Sequence, residues 1–190
     1  FYTRAEHPDD WASTMSNLGT VYWRLGQRES GTARLEKAVA AFHAALEVQS
    51  AKTIPLEWAA TQNNLGIVLS EIGERQATGD SYRAAIAAHH AALTEYRRER
   101  VPLDWASSQV NLGAALERLG DREKDLSALR QAVAAYHAAM EELTAERAPA
   151  QWATIQNNLS ATLLSIGAIT GDTAMLASAP PSWPPGWAPS

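Results

Sequence analysis

Residues 102–120 read PLDWASSQVNLGAALERLG, and a step of 47 residues in either direction meets the same pattern again. Residues 55–73 read PLEWAATQNNLGIVLSEIG, residues 8–26 PDDWASTMSNLGTVYWRLG, and residues 149–167 PAQWATIQNNLSATLLSIG. Pro8, Pro55, Pro102 and Pro149 each stand three residues before Trp11, Trp58, Trp105 and Trp152, and an alanine follows each tryptophan. Asn17-Leu18, Asn64-Leu65, Asn111-Leu112 and Asn158-Leu159 keep the register, as do Gly26, Gly73, Gly120 and Gly167. Several series sharing one period, without a slip, mark a chain of stacked units, each burying its apolar face on its neighbour. The sequence predicts a solenoid.

Within a unit, proline suits the first turn of a helix, where its missing N–H would be unpaired anyway. Asp9, Asp10, Glu57 and Asp104 add negative charge at the positive end of the helix dipole. Trp11, Met15, Leu18, Tyr22 and Leu25 then recur at helical spacing, as do Trp105, Gln109, Leu112, Leu116 and Leu119, and form an expected buried stripe. The glycine is expected to end this helix as a left-handed cap. A second helix follows with Leu35, Ala38, Phe42 and Ala45, matched by Tyr82, Ala85, His89 and Ala92 and by Leu129, Ala132, Tyr136 and Ala139. Its many alanines favour helix and let neighbouring helices approach closely.

The Asn-Leu-Gly of residues 17–19, 64–66 and 111–113, each followed by the later glycine, together with Ala38, Phe42 and Ala45, resembles the two-helix motif of the tetratricopeptide repeat family. Ser160 replaces the first glycine in the fourth unit, and His89 the usual aromatic in the second. The period exceeds the family's usual length of about 34. The excess lies between Gly26 and Ala38 and between Ala45 and Leu65, so the unit is similar to the long repeats of kinesin light chains. HEAT and armadillo units have suitable lengths, but the local signatures favour tetratricopeptide. The resemblance covers residues 3 to about 179 and implies an all-α, right-handed solenoid of stacked antiparallel helix pairs.

The expected divisions are 1–7, the end of a preceding unit's second helix; 8–54, 55–101 and 102–148, three full repeats; 149–179, an incomplete fourth; and a tail, 180–190. The first of these rests on the likeness of Thr3–Pro8 to Thr144–Pro149, and the chain is accordingly expected to be a piece of a longer array. In the fourth unit a second helix starts near Thr173 and meets Pro180-Pro181, which forbid its continuation. The tail holds five of the nine prolines together with Trp183 and Trp187, a composition of polyproline character.

Composition narrows the function. A net charge of −5 argues against nucleic acid as a partner, because neutralising phosphates needs a basic face. The basic cluster Arg97-Arg98-Glu99-Arg100 is expected at a helix C-terminus, where it complements the dipole. No uninterrupted apolar run approaches the roughly 18 residues of a membrane span, so no membrane partner is expected. The absence of cysteine excludes disulfides and thiolate metal sites and fits a reducing, cytoplasmic setting. No nucleophile–base arrangement, phosphate-cradling loop or paired-carboxylate cleft stands out, so neither enzymatic activity nor a cofactor is expected. His43, His90 and His137 share one repeat position, but they lie on different units without a His-Glu-x-x-His motif, and no metal is assigned to them.

Helix geometry places Ser13, Asn17, Thr20 and Arg24 in a second stripe, about 100° or more from the leucines. Its counterparts include Asn64 and Glu71, then Ser107, Asn111 and Arg118, then Asn158. An amide offers donors and an acceptor together, so a ladder of asparagines can pair with an extended peptide's backbone whatever its side chains. The resemblance implies the same, since first helices in the family line the concave face and asparagines at this position clamp a ligand backbone. Ser13, Asn17, Arg24, Asn64, Glu71, Ser107, Asn111, Arg118 and Asn158 are therefore the candidate peptide-binding residues. In the alternative, each asparagine bonds the neighbouring unit and the chain is an architectural spacer or self-association array. The exposed end of the fourth repeat, or the tail, would then serve self-association. Arg28, Arg75 and Arg122, each two residues after the glycine, are expected to bridge units.

Overall fold

The computed structural model describes residues 3–172. Seven helices follow one another: α1 (Pro8–Gly26), α2 (Ala33–Leu46), α3 (Pro55–Gln76), α4 (Gly79–Glu95), α5 (Pro102–Glu123), α6 (Leu126–Met140) and α7 (Pro149–Thr170). Helices α1 with α2, α3 with α4 and α5 with α6 pair as hairpins, and α2, α4 and α6 each pack also on the helix that follows. The result is an all-helical α-solenoid of tetratricopeptide type. The second helix expected from near Thr173 and the 180–190 tail lie outside the described residues.

Each of the four first helices begins at its proline, and the residue before adopts nearly the same backbone every time. His7, Ile54, Val101 and Ala148 have φ of −138°, −137°, −139° and −148°, with ψ of 67°, 69°, 68° and 63°. The proline ring excludes the helical region for its predecessor, which turns the chain sharply into the helix. The tryptophan N–H then closes the first turn on that residue's carbonyl at 2.9–3.0 Å in all four units. The preceding turn repeats as well: the N–H of His7, Ile54, Val101 and Ala148 bonds the carbonyl of Thr3, Ser50, Arg97 and Thr144. Residues 3–7 thus form a turn like those at 50–54, 97–101 and 144–148 rather than helix. The basic cluster lies in the same turn, beyond the end of α4 rather than on it; Arg98 pairs with Glu141 and Glu142 of the following unit.

Two local expectations change. Helices α3, α5 and α7 run three residues past the glycine, and the left-handed residue is Ala77 (φ 55°), Lys124 (φ 57°) or Gly171 (φ 72°). Only α1 stops at its glycine, and its cap, Gln27, is right-handed. Gly26, Gly73 and Gly120 therefore answer to space rather than to backbone conformation. A Cβ on Gly120 would lie 2.7 Å from Leu129 Cγ, and one on Gly113 would lie 2.7 Å from the Tyr136 ring. Gly19 and Gly66 receive Phe42 and His89 in the same way. Gly113→Ala should accordingly destabilise the protein by about 1–3 kcal/mol as an overpacked core change. An unchanged urea midpoint would mean that the Tyr136 ring yields without cost.

The buried stripe is also broader than expected and slightly rotated. The four tryptophans are half-buried, whereas Ala12, Ala59 and Ala106, next in sequence to the first three, are 0% exposed. Trp11 and Trp105 sit at the helix entry with the guanidinium of Arg4 or Arg98 above the ring, 5.3 and 5.6 Å from its centre. Helices α3 and α5 are each enclosed by a second helix on two sides. Ile72 and Leu119 are 6% and 8% exposed, while Leu25, their counterpart on α1, is 41% exposed. The core runs across unit boundaries: Leu35, Ala38 and Phe42 of α2 join Leu65, Val68 and Ile72 of α3. Tyr136 of α6 joins Leu112 and Leu116 of α5 and Ile155 and Leu159 of α7. Polar ties cross the same boundaries. Arg75 Nη1 donates to the carbonyls of Gly26 (3.1 Å) and Gly31 (2.6 Å), and Arg122 donates to the carbonyl of Ala77.

A candidate ligand groove

The first helices touch one another in succession, α1 with α3, α3 with α5 and α5 with α7, whereas α2, α4 and α6 have no such mutual contacts. The first helices consequently form one continuous side of the stack. Two cavities open along that side. One, of about 300 Å³, lies between α5 and α7 and is lined by Ser107, Val110, Asn111, Gln151, Thr154 and Ile155 among others. The other, of about 210 Å³, lies between α3 and α5 above α4; Ile67, Glu71, Asn111, Ala114 and Arg118 form its walls, and Tyr82 and His89 reach it from α4. Asn111 lines both cavities, so they adjoin along one face.

The structure brings Glu71, Ser107, Asn111 and Arg118 of the candidate residues to these cavities. Ser13, Asn17 and Arg24 are exposed on α1 and line neither. The asparagines are not equivalent. Asn64 is half-buried and, like Asn17, makes no side-chain hydrogen bond to a described residue. Asn111 Nδ2 donates to Asn63 Oδ1 of the preceding unit at 3.3 Å. Asn158 is half-buried and stands beside the Tyr136 hydroxyl. Glu71 Oε1 accepts from Trp23 Nε1 at 2.7 Å and from Gln27 Nε2 at 3.0 Å, both on the preceding unit.

Sequence reasoning missed a polar network beneath the groove. Asn63 Oδ1 accepts from His89 Nδ1 (3.1 Å), Ser108 Oγ (2.9 Å) and Asn111 Nδ2 (3.3 Å), which ties α3, α4 and α5 together. Since an amide oxygen only accepts, the His89 proton sits on Nδ1 and Nε2 keeps a lone pair. Burial lowers the pKa of His89 to about 4, with neighbouring His90 pushing the same way, so the ring is neutral at pH 7. One unit further, Tyr136 Oη donates to Glu117 Oε2 at 2.7 Å. Burial, the largest influence, raises the Glu117 pKa, opposed by this hydrogen bond and by Arg118. Burial and then the Glu117 carboxylate raise that of Tyr136. Asn63, Glu117 and Ser70 belong to no periodic series, and the only sequence signal was a histidine in an aromatic slot.

His43, His90 and His137 are exposed on the second helices, and no group of three or more metal-ligating side chains occurs among the described residues. Among the same residues, no helix is long and apolar enough to cross a membrane.

Residues 11–49 and 105–142, each running from a tryptophan through the second helix, match the family model of the tetratricopeptide repeat. Both matched segments are similar to tetratricopeptide repeats, and the fold around them is an α-solenoid of the same type. No curated protein matches the chain. Tetratricopeptide repeats form a non-catalytic scaffold and generally serve as protein-interaction modules.

Proposed function

We propose that this tetratricopeptide array binds an extended peptide or protein segment along the face of its first helices, in a cytoplasmic setting and without catalysis. The observation that supports the reading is the pair of adjoining cavities on that face, lined from the repeated register and meeting at Asn111. An extended chain rises about 3.3 Å per residue, and a groove shared by successive helices suits it better than it suits a compact ligand. Ser107, Asn111 and Arg118 supply polar groups at the walls.

A second reading has its own support. Asn111 bonds Asn63, and Glu71 is engaged by Trp23 and Gln27, so part of the candidate set holds units together, as an architectural spacer or self-association array requires. The two readings separate by photo-crosslinking. Peptides selected from a displayed library on the folded array should crosslink to a photoreactive residue placed at Ser107, and not to one at His137 on α6. Equal labelling at both positions, or a library that yields no binder, would leave the architectural reading.

A further inference from the structure

Among the described residues, only three buried side-chain polar atoms lack a hydrogen-bond partner: Ser70 Oγ, Glu71 Oε2 and His89 Nε2. All three residues line the same 210 Å³ cavity between α3 and α5. Buried polar groups in folded proteins are nearly always paired, and an orphan costs stability, so three gathered at one opening call for a partner from outside. The His89 side chain is wholly buried and presents a lone pair at Nε2, because its Nδ1 proton goes to Asn63 Oδ1. Glu71 Oε2 accepts as well, its companion oxygen being held by Trp23 and Gln27. Ser70 Oγ can serve as either donor or acceptor. Glu74 adds a second carboxylate to the lining, and Arg118 the one guanidinium. Two of the three unused groups, Glu71 Oε2 and His89 Nε2, can only accept, in a cavity where carboxylates outnumber cations.

We infer that this cavity is a subsite for a cationic, donor-rich group, the ammonium or guanidinium of a lysine or arginine side chain carried by the segment that lies in the groove. Such a group brings several N–H donors and a positive charge to Glu71 Oε2, His89 Nε2 and Ser70 Oγ together. A carboxylate or phosphate would meet lone pairs and like charge there, with Arg118 alone to receive it. Apolar Ile67 and Ala114 flank the opening and suit the methylene stem of a basic side chain. The inference rests on the groove reading for the source of the cation, and not for the chemistry of the cavity.

The Trp23 indole N–H, bonded to Glu71, is a built-in reporter. Titrating the protein with ethylguanidinium chloride should shift the Trp23 indole proton saturably in the NMR spectrum, and Glu71→Gln, which keeps an acceptor for Trp23, should abolish the shift. Groove-binding peptides from the displayed library should carry a lysine or arginine, and norleucine in its place should weaken binding at least tenfold. Ser70→Ala supplies a readout that a structural hydroxyl would not: removing an unpaired buried group should raise the melting temperature while weakening the peptide severalfold. A lower melting temperature would show that the hydroxyl is satisfied within the fold and overturn the site. Peptides that bind the groove yet tolerate norleucine would overturn the cation subsite and leave the groove reading intact. Saturable ethylguanidinium binding with no peptide binder would overturn the peptide as the source of the cation, and silence in both arms would overturn subsite and groove alike.

Discussion

Replacing Tyr136 by alanine is expected to lower the unfolding free energy by about 3–5 kcal/mol, the range for truncating a fully buried aromatic side chain. The ring is 0% exposed, fills the space that Gly113 leaves open, and joins α5, α6 and α7 in one apolar cluster. Its hydroxyl is also the hydrogen-bond donor to a buried carboxylate, Glu117. Alanine removes both, and an unpaired buried charge is more costly than the lost bond. Tyr136→Phe separates the two contributions: it keeps the ring and should cost about 1–3 kcal/mol. Urea midpoints of the two variants test the ordering. A Tyr136→Ala midpoint close to wild type would mean that α6 does not anchor the third unit through this ring.

Acidification should destabilise the array through His89. Its folded pKa, about 4, lies below the ordinary histidine value of 6.5, so between those limits the unfolded chain binds the proton more readily than the folded one. The sign follows: the contribution of neutral His89 is complete above pH 6.5 and is lost as pH falls toward 4. At about 1.4 kcal/mol per pKa unit the loss approaches roughly 3 kcal/mol. Glu117, whose pKa is raised, works the other way and gains stability as it becomes protonated. The clean measurement is thus the difference between wild type and His89→Phe, which places in the second unit the residue found at the same position in the first. Stability of the variant between pH 6.5 and 4 should fall less steeply than that of the wild type, by about this amount. Parallel pH curves would show that His89 takes up its proton without disturbing the fold.

Much of this architecture was legible before any coordinates. The 47-residue step, the proline entry of each first helix, the hairpins and the buried face of the second helices all follow from interactions repeated in every unit, and repetition makes them visible in one sequence. The same reading misassigned Gly73, Gly120 and Gly167 as caps. A glycine near a helix end satisfies both a left-handed turn and a close helix crossing, and the spacing alone does not separate the two. It also set the tryptophans deeper than they lie, because a stripe drawn for one contact face shifts when a helix is enclosed from two sides.

The sequence by itself carried the tetratricopeptide resemblance, the period and the repeated registers to which Asn64, Ser107, Asn111 and Arg118 belong. Only the tertiary structure decided that Asn111 is tied to Asn63, that Glu71 is engaged by Trp23, and that Ser70, Glu71 and His89 share one cavity with unspent hydrogen-bonding capacity. The physical reason is that helix entry and hairpin packing are set within a unit and recur. A cavity between units is instead walled by α3, α4 and α5 at once, and the residues with unpartnered atoms there, Ser70, Glu71 and His89, hold three different registers. Residues that meet only through such stacking leave no period to read.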